Sequence, residues 1–500
     1  MTTPAATPGA PGRWRGILFP PPNHENKDNP IGSSFALTVI AVFVQGLSRF
    51  GYTLLIGNLL GNEILGQVNT AISLALFLVL LWPQASGNAA SKFIAMARGR
   101  GNADEQLSVS LYASRSAAVG MAVLSVTAVV LSVLALDLPL GYALSTGLLV
   151  ISLSAYNFVR GVRTGNNQFV TTTAWDCISS FVTLTLLVIV LLGELTPLLL
   201  LPLSVGYLIY AIPSWPLKGG SKLPWALKKE ILMFTLWASI NIITAAGLLQ
   251  LSLLLGYRFD TLAAVGQYSA AVAIATPASM LSSSMLVALA PSVARMFTAG
   301  DHANMKRQLD SIMRVMVLVF LPVFGVGIIW AEPLIHVLYG ARINEFEGSV
   351  PLLIILFFAV SATSFNAANS RLNGGESWGV RVLALCNAVG MMLGVGTILW
   401  LGPTMGVMAS AIGYMVACFI SALAPMIVVW VHDRMRWGGL LTRIVVGYVL
   451  ILGCLFLGLR HSELWVSVVL TVAFCAVWAL ISWGDLAPRI RMVTGRFRKN

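Results

Sequence analysis

The sequence predicts an all-α polytopic membrane protein with 14 transmembrane helices. Of its 500 residues, 57% are hydrophobic and 10% are charged, whereas charged residues make up about 25% of a typical soluble protein. Apolar runs of about 20 residues, the length that crosses a bilayer as a helix, recur along the whole chain. Lys and Arg residues gather in every second segment between these runs, as the positive-inside rule requires.

The predicted spans follow one another with short connections. We place them at 34–60, 64–90, 108–134, 140–159, 169–193, 196–215, 229–256, 262–290, 312–339, 349–371, 379–401, 404–431, 440–459 and 464–483. An even number of spans leaves both termini on the same side of the membrane.

The basic residues predict the orientation. With the N-terminus in the cytoplasm, the 31 Lys and Arg residues fall on the cytoplasmic side with four exceptions. Three of these, Arg258, Arg342 and Arg460, lie in external segments, and Arg49 lies inside the first span. Because a missing or extra helix would invert every later loop, this distribution favours 14 spans with both termini in the cytoplasm.

The spans divide the chain into six predicted regions. They are a disordered cytoplasmic tail at 1–33, an N-terminal six-helix bundle at 34–215, a cytoplasmic linker at 216–228, a C-terminal six-helix bundle at 229–431, two further helices at 440–483, and a basic cytoplasmic tail at 484–500.

The two bundles resemble each other at an offset of about 200 residues. The segment Leu65-Gly66-Gln67-Val68 aligns with Val265-Gly266-Gln267-Tyr268, and each opens a predicted span after a short external loop. Six spans separate the copies, so both have the same orientation and form a parallel repeat. Duplicated bundles of this kind are typical of transporters that carry the substrate between their two halves.

Arg49 is the basic residue that the topology leaves within a span. At about 1.5 Å per residue it lies roughly 22 Å from the start of its run and roughly 16 Å from the end. A charge at such depth costs about 3 kcal/mol on insertion scales, so it usually faces a polar or wet interior. Arg49 therefore either binds an anionic substrate or pairs within the protein and fixes helix packing. The position that matches it in the second copy, Leu249-Gln250, is uncharged.

Asp176 is the acidic residue that lies well inside a predicted span, about seven residues from its cytoplasmic start. At that depth it is a candidate for a cation or proton site that couples transport to an ion gradient. The alternative is a structural pair with Arg160 or Arg163 at the end of the preceding span. The residues leave both interpretations open.

Amide side chains within the spans are candidates for lining the substrate path. Those we assign to substrate binding beside Arg49 are Gln45, Asn241, Gln250 and Asn387. Others will join helices instead, at about 0.6 kcal/mol per contact. Gly390 and Gly394, four residues apart, are expected to permit close helix packing rather than to bind a ligand.

Motifs for catalysis and cofactor binding are not found in the sequence. It has no phosphate-binding loop, its five histidines are isolated, and its five cysteines fall inside apolar runs. The predicted external loops are too short for a membrane glycosyltransferase or ligase. We therefore expect no enzyme activity, no cofactor, no metal and no nucleic-acid partner.

Several segments resemble one transporter family. They are Ser48-Arg49-Phe50-Gly51, Leu65-Gly66-Gln67-Val68, Ser91-Lys92-Phe93-Ile94-Ala95, Ala290-Pro291-Ser292-Val293-Ala294-Arg295 and Ala331-Glu332-Pro333-Leu334-Ile335. The chain is similar from about residue 34 to 485 to the polysaccharide-transporter (Wzx-like) family of the multidrug/oligosaccharidyl-lipid/polysaccharide (MOP) exporter superfamily. The resemblance implies two six-helix bundles in a V shape. It also implies transfer of an undecaprenyl-diphosphate-linked oligosaccharide across the bacterial cytoplasmic membrane, by alternating access.

The implied partners are the lipid-linked substrate, membrane lipid, and the polymerase and glycosyltransferases of a polysaccharide pathway. A diphosphate favours a guanidinium that donates two hydrogen bonds, which suits Arg49. Two alternatives within the superfamily stay open: a flippase for lipid II, the peptidoglycan precursor, and a cation-coupled multidrug exporter. Lipid II flippases also carry an arginine after a serine in helix 1, but they have a second arginine where this chain has Leu55.

Overall fold

The regular structure of the chain is helical. The computed structural model describes Leu18 and residues 31–217, 219–220, 222–298, 301–365, 367–374, 377–458 and 464–486. In chain order the helices are α1 (Ile31–Leu60), α2 (Asn62–Leu81), α3 (Pro83–Gly99), α4 (Ala103–Leu134), α5 (Leu140–Gly165), α6 (Phe169–Leu192), α7 (Leu201–Ala211), α8 (Trp225–Phe259), α9 (Leu262–Thr298), α10 (His302–Ile329), α11 (Ala331–Tyr339), α12 (Ile343–Phe346), α13 (Ser349–Ser364), α14 (Ala367–Gly374), α15 (Ser377–Met405), α16 (Val407–His432), α17 (Gly438–Gly458) and α18 (Leu464–Ile481).

The helices confirm a multi-pass membrane protein. Among the described residues, 12 helices are long and apolar enough to cross a membrane, and 13 if α13 and α14, which meet at 45°, form one bent span. The predicted span 262–290 falls on α9. The count of 14 spans and the arrangement of the repeat stay predictions.

Prolines and glycines determine where several helices begin and end. The predicted span 64–90 is divided, because α2 ends at Leu81 and Pro83 opens α3. Proline suits the first position of a helix, where its missing N–H has no partner to lose. Between α1 and α2, Gly61 has φ of +89°, a conformation that side chains other than glycine rarely adopt.

The chain forms two compact units. The first comprises the described residues up to Ser48 together with Leu74–Ile242, and the second comprises Arg49–Ser73 together with the described residues from Ile243 onward. The boundary therefore falls inside α1, inside α2 and inside α8. The six regions predicted from the span pattern stay predictions.

In the second unit, the starts of α2 and α9 cross at two glycines. A Cβ atom at Gly66 would overlap the carbonyl oxygen of Leu262, and one at Gly266 would overlap that of Asn62. Gly66 and Gly266 are the matching positions of the predicted repeat. Because neither has a side chain, the two backbones approach more closely than any other residue pair would allow.

The turn between α1 and α2 is held by the segment that joins α11 to α12. Arg342 donates from Nε to the carbonyl of Asn58 at 3.1 Å and from Nη2 to that of Leu59 at 3.1 Å, so it caps the end of α1. Glu345 accepts from the backbone N–H of Asn62 at 3.1 Å, at the start of α2. Arg342 and Glu345 also pair with each other at 2.8 Å. Each charge thus lies at the helix end whose dipole it complements.

Glycines also bring α15 and α16 together, as the sequence predicts for Gly390 and Gly394. A Cβ atom at Gly390 would lie 2.6 Å from Ser421 Oγ, and one at Gly394 would lie 2.8 Å from the carbonyl oxygen of Gly413. The expectation that these two glycines serve close packing is confirmed. An apolar cluster of Leu248, Ile398 and Ala417 lies beside this crossing.

Candidate functional site

A buried polar cluster in the first unit surrounds Asp176. The Asp176 side chain on α6 is fully buried, with 0% exposure. Its Oδ1 accepts a hydrogen bond from the Tyr156 hydroxyl at 2.8 Å and another from Gln45 Nε2 at 3.3 Å. The carboxylate therefore joins three membrane-spanning helices, α1, α5 and α6.

Arg160 balances the charge of Asp176. Its Nη2 lies 3.6 Å from Asp176 Oδ2, and its Nη1 donates to the Tyr156 hydroxyl at 3.1 Å. The Tyr156 hydroxyl thus accepts from the guanidinium and donates to the carboxylate. A buried carboxylate without such a partner would be strongly destabilising. Of the two partners proposed from the sequence, the structure pairs Asp176 with Arg160.

Arg163 adds a second guanidinium, held by neutral groups. Its side chain is 1% exposed and donates from Nη2 to Ser214 Oγ at 2.7 Å and to the carbonyl of Tyr210 at 3.3 Å. The guanidinium carbon lies 4.3 Å from the centre of the Tyr210 ring and 5.6 Å from that of Trp175. With Arg160 and Arg163 against Asp176, the cluster carries a net positive charge.

The local sequence explains how these groups meet. Tyr156, Arg160 and Arg163 occupy positions i, i+4 and i+7 of α5, so they lie along one face of that helix. Asn167, with φ of +58°, ends α5 in the left-handed conformation, and α6 starts at Phe169. This tight connection places Asp176, two turns into α6, beside Arg160.

Tyr156 was not among the residues predicted from the sequence, although it contacts both charges. The available signal is its spacing, one helical turn before Arg160. A tyrosine in an apolar span is usually a packing residue, and its hydroxyl role depends on which helix lies opposite. That information is absent from the periodicity of a single helix.

The remaining predicted residues are described by their own helices. Arg49 is half-buried on α1, one helical turn after Gln45. On α8, Asn241 is exposed and Gln250 is half-buried. Asn387 on α15 is 6% exposed and lines a cavity of about 470 Å³ within the second unit. Of the predicted substrate and ion-coupling residues, the described contacts join Gln45 and Asp176.

Comparison with solved structures identifies the architecture. The lipid II flippase MurJ, in an inward closed conformation, is similar with a TM-score of 0.67 and 14% sequence identity over 90% of this chain and 99% of that chain. The chain has the fold of a MOP-superfamily transporter. An inward-facing multidrug-resistance MATE transporter of the MOP superfamily is similar with a TM-score of 0.61 and 13% identity over 80% of this chain and 98% of its own.

Other MOP transporters agree with this assignment. One from Pyrococcus furiosus is similar with a TM-score of 0.53 and 13% identity over 85% of this chain and 98% of its own. No protein-family model and no curated protein matches the sequence. At identities this low the MOP fold is what the neighbours share with the chain. These neighbours are transporters and flippases rather than enzymes.

Proposed function

We propose that this MOP-fold chain transfers an undecaprenyl-diphosphate-linked oligosaccharide from the inner to the outer leaflet of the bacterial cytoplasmic membrane. The proposal is carried by the excess of positive charge on membrane-spanning helices. Arg160 and Arg163 in α5 lie against the carboxylate of Asp176 in α6, and Arg49 lies within α1. Such an excess favours an anionic substrate, and a diphosphate linked to lipid supplies the charge within the membrane.

The pairing of Asp176 argues against a substrate that is an organic cation. Its two oxygens face the Tyr156 hydroxyl, Gln45 Nε2 and the Arg160 guanidinium, so its negative charge is already compensated. A cationic drug would have to displace Arg160 from a buried carboxylate. An anionic headgroup would instead be attracted to the guanidinium, whose side chain keeps 26% exposure.

Competition for Arg160 provides a way to couple the substrate to an ion. A diphosphate that engages Arg160 weakens the pair with Asp176. The released carboxylate can then take up a proton or a monovalent cation. In this proposal Asp176 is the ion-coupling residue, and Arg49 with the amides Gln45, Asn241, Gln250 and Asn387 binds the substrate during alternating access.

A lipid II flippase is the second candidate, because lipid II also carries a diphosphate. The solved lipid II flippase matches 90% of this chain, compared with 80% for the multidrug transporter. We favour the oligosaccharide carrier because the segments that resemble its family extend through both bundles, and because Leu55 replaces the second arginine of helix 1. The polymerase and glycosyltransferases of the same pathway are the proposed partners.

A transport assay tests the proposal. Protein reconstituted into vesicles should transfer a fluorescent polyprenyl-diphosphate oligosaccharide between leaflets. Arg49→Gln should slow transfer about 10- to 100-fold, because hydrogen bonds to a charged group contribute about 1.5–3 kcal/mol, and Arg49→Lys should retain part of the activity. Arg258→Gln, which removes an exposed guanidinium from the end of α8, is the matched control and should transfer at the normal rate.

Cell phenotypes separate the candidates. Loss of the protein should abolish a surface glycan without raising sensitivity to cationic drugs. Drug sensitivity with an intact glycan would support a multidrug exporter instead, and lysis with accumulated lipid II would support the lipid II flippase. Full transfer activity in Arg49→Gln would remove the diphosphate role of that residue.

A further inference from the structure

A cavity of about 470 Å³ lies inside the second unit. Residues of α8, α9, α13, α14, α15 and α16 line it. Its volume falls within the range of about 300–1,000 Å³ that small-molecule sites occupy. All of its lining residues belong to the second unit, whereas the charged cluster around Asp176 belongs to the first.

The described lining combines polar groups with a larger apolar surface and contains no charged side chain. Eight of its fourteen residues have a hydroxyl, amide or thiol group, and the other six are Ala, Leu or Met. Those that matter most here are Thr363, Asn369, Asn387, Tyr414 and Ser421. A charged ligand would find no opposite charge among these residues, and an aliphatic chain would leave their polar groups without partners.

Two amides in the lining are unsatisfied. Asn387 is 6% exposed, and within the described part of the chain its side chain has no hydrogen-bond partner. The Oδ1 atom of Asn369 is fully buried without a partner among the described residues, whereas the amide atoms of Asn387 are not fully enclosed. Unpaired buried amides destabilise a protein, most of all where membrane replaces solvent. Their persistence beside a cavity points to a ligand that supplies both donors and acceptors.

The helix crossing of α15 and α16 explains why the cavity opens at Asn387. Gly390 and Gly394 bring the two backbones together, since a Cβ at Gly390 would lie 2.6 Å from Ser421 Oγ. Asn387 precedes Gly390 by one turn on the same face of α15. At position 387 the side chain is an amide and not a hydrogen atom, so the two helices cannot approach as closely as they do at Gly390. The space between them there is bordered by the Tyr414 ring.

We propose that this cavity binds an uncharged sugar residue of the transported lipid-linked glycan. A sugar presents hydroxyls that both donate and accept hydrogen bonds, and its ring has apolar C–H faces that pack on Tyr414 and Met391. The inference rests on the proposed function, which supplies the glycan, and adds the site where an uncharged sugar is recognised. The diphosphate is assigned to the arginines of the proposed function and not to this cavity.

Native mass spectrometry of the full-length protein provides the test, with two probes: farnesyl diphosphate, and farnesyl diphosphate carrying one N-acetylglucosamine. The sugar should strengthen binding to the unaltered protein. Asn387→Leu should weaken binding of the sugar-bearing probe about 5- to 10-fold, as expected for a lost hydrogen bond, and leave binding of the bare diphosphate unchanged. Ser410→Ala, which removes a buried unpartnered hydroxyl of α16 outside the cavity lining, is the matched control.

The outcomes distinguish this inference from the function on which it rests. If Arg49→Gln weakens binding of both probes and Asn387→Leu weakens binding of the sugar-bearing probe alone, the proposed function and the sugar site are both supported. If Arg49→Gln weakens both probes but Asn387→Leu affects them equally, the sugar site is wrong and the diphosphate role survives. If the probes bind equally to the unaltered protein, or if sodium alone occupies the cavity, the sugar site is also wrong.

Thermal unfolding distinguishes a loss of sugar binding from a general loss of stability in Asn387→Leu. Without ligand, Asn387→Leu should unfold at the same or a higher temperature, because it removes an unpaired amide from a site with room for leucine. If the Asn387 amide had a purely structural role, Asn387→Leu would unfold at a lower temperature than the unaltered protein. A marked fall in the unfolding temperature, with weaker binding of both probes, would overturn the proposal.

Discussion

Asp176 in the first unit and Asn387 in the second are buried polar side chains on membrane-spanning helices, but their surroundings differ. Asp176 has Tyr156, Gln45 and Arg160 within hydrogen-bonding or ion-pairing distance. Asn387 faces a cavity and has no partner among the described residues. Asp176 therefore has hydrogen-bond donors at one carboxylate oxygen and an ion-pair partner at the other, whereas the Asn387 amide has neither within the described part of the chain.

The difference follows from the size of the desolvation penalty. A buried charge without a partner costs several kcal/mol, so the protein must supply one within its own fold. An unpaired buried amide costs only about 1–3 kcal/mol, which a folded protein can sustain until a ligand arrives. An uncharged site can therefore stay open in the ligand-free protein at a lower cost than a buried charged one.

The largest expected effect comes from breaking the charged pair. Asp176→Leu should lower the free energy of unfolding by about 3 kcal/mol, because it leaves the Arg160 guanidinium beside apolar groups. The double variant Asp176→Leu with Arg160→Met should recover most of the loss. Unfolding followed in detergent for the single and double variants measures the coupling; additive losses would show that the pair is not coupled.

Introducing a carboxylate at position 387 would give the second unit a buried charge without a partner. Asn387→Asp should destabilise the ligand-free protein at neutral pH by about 2 kcal/mol, because the new carboxylate has no cation in the lining. Asn387→Leu occupies the same position without a charge and should be neutral or slightly stabilising. Equal unfolding temperatures for the two variants would mean that the cavity is well hydrated.

Helix crossings through glycine should behave alike in both units. A Cβ atom at Gly161 in the first unit would overlap the carbonyl oxygen of Gly87, just as one at Gly266 would overlap that of Asn62 in the second. Each change to alanine should cost about 1–3 kcal/mol through overpacking. Gly396, which has open space around it in α15, is the control and should tolerate alanine. If alanine lowers the stability at only one of the two crossings, the two units differ in helix packing as well as in the charge of their buried polar residues.

The smallest effect is expected at the partly exposed pair of Arg342 and Glu345. Both side chains are more than a third exposed, so Arg342→Gln should cost about 1 kcal/mol through the lost helix cap. Added salt should reduce the difference between Arg342→Gln and the unaltered protein, since exposed charges are screened. An effect as large as that of Asp176→Leu would contradict the distinction between buried and exposed pairs.

Much of the fold was predictable from the sequence, because apolar runs, basic residues and glycine spacing are local properties of the chain. Apolar runs predicted the helices, and glycine spacing predicted the close contact of α15 with α16. The depth of Asp176 and the position of Arg160 predicted their pairing as one of two options. Other features depend on which helices are neighbours: the hydroxyl role of Tyr156, the unsatisfied Asn387 and the division of α1 between two units. No periodicity within one helix contains that information.

The turn between α1 and α2 has a consequence for sequence variation. Asn58 donates to the main-chain carbonyl of Leu338 at 2.8 Å, and Asn62 and Gln267 both donate to that of Glu345 at 2.9 Å. A main-chain acceptor is present whatever side chain its residue carries. In a mutational scan the three amides should therefore be intolerant of change, whereas position 338 should accept many residues as long as its backbone path is kept.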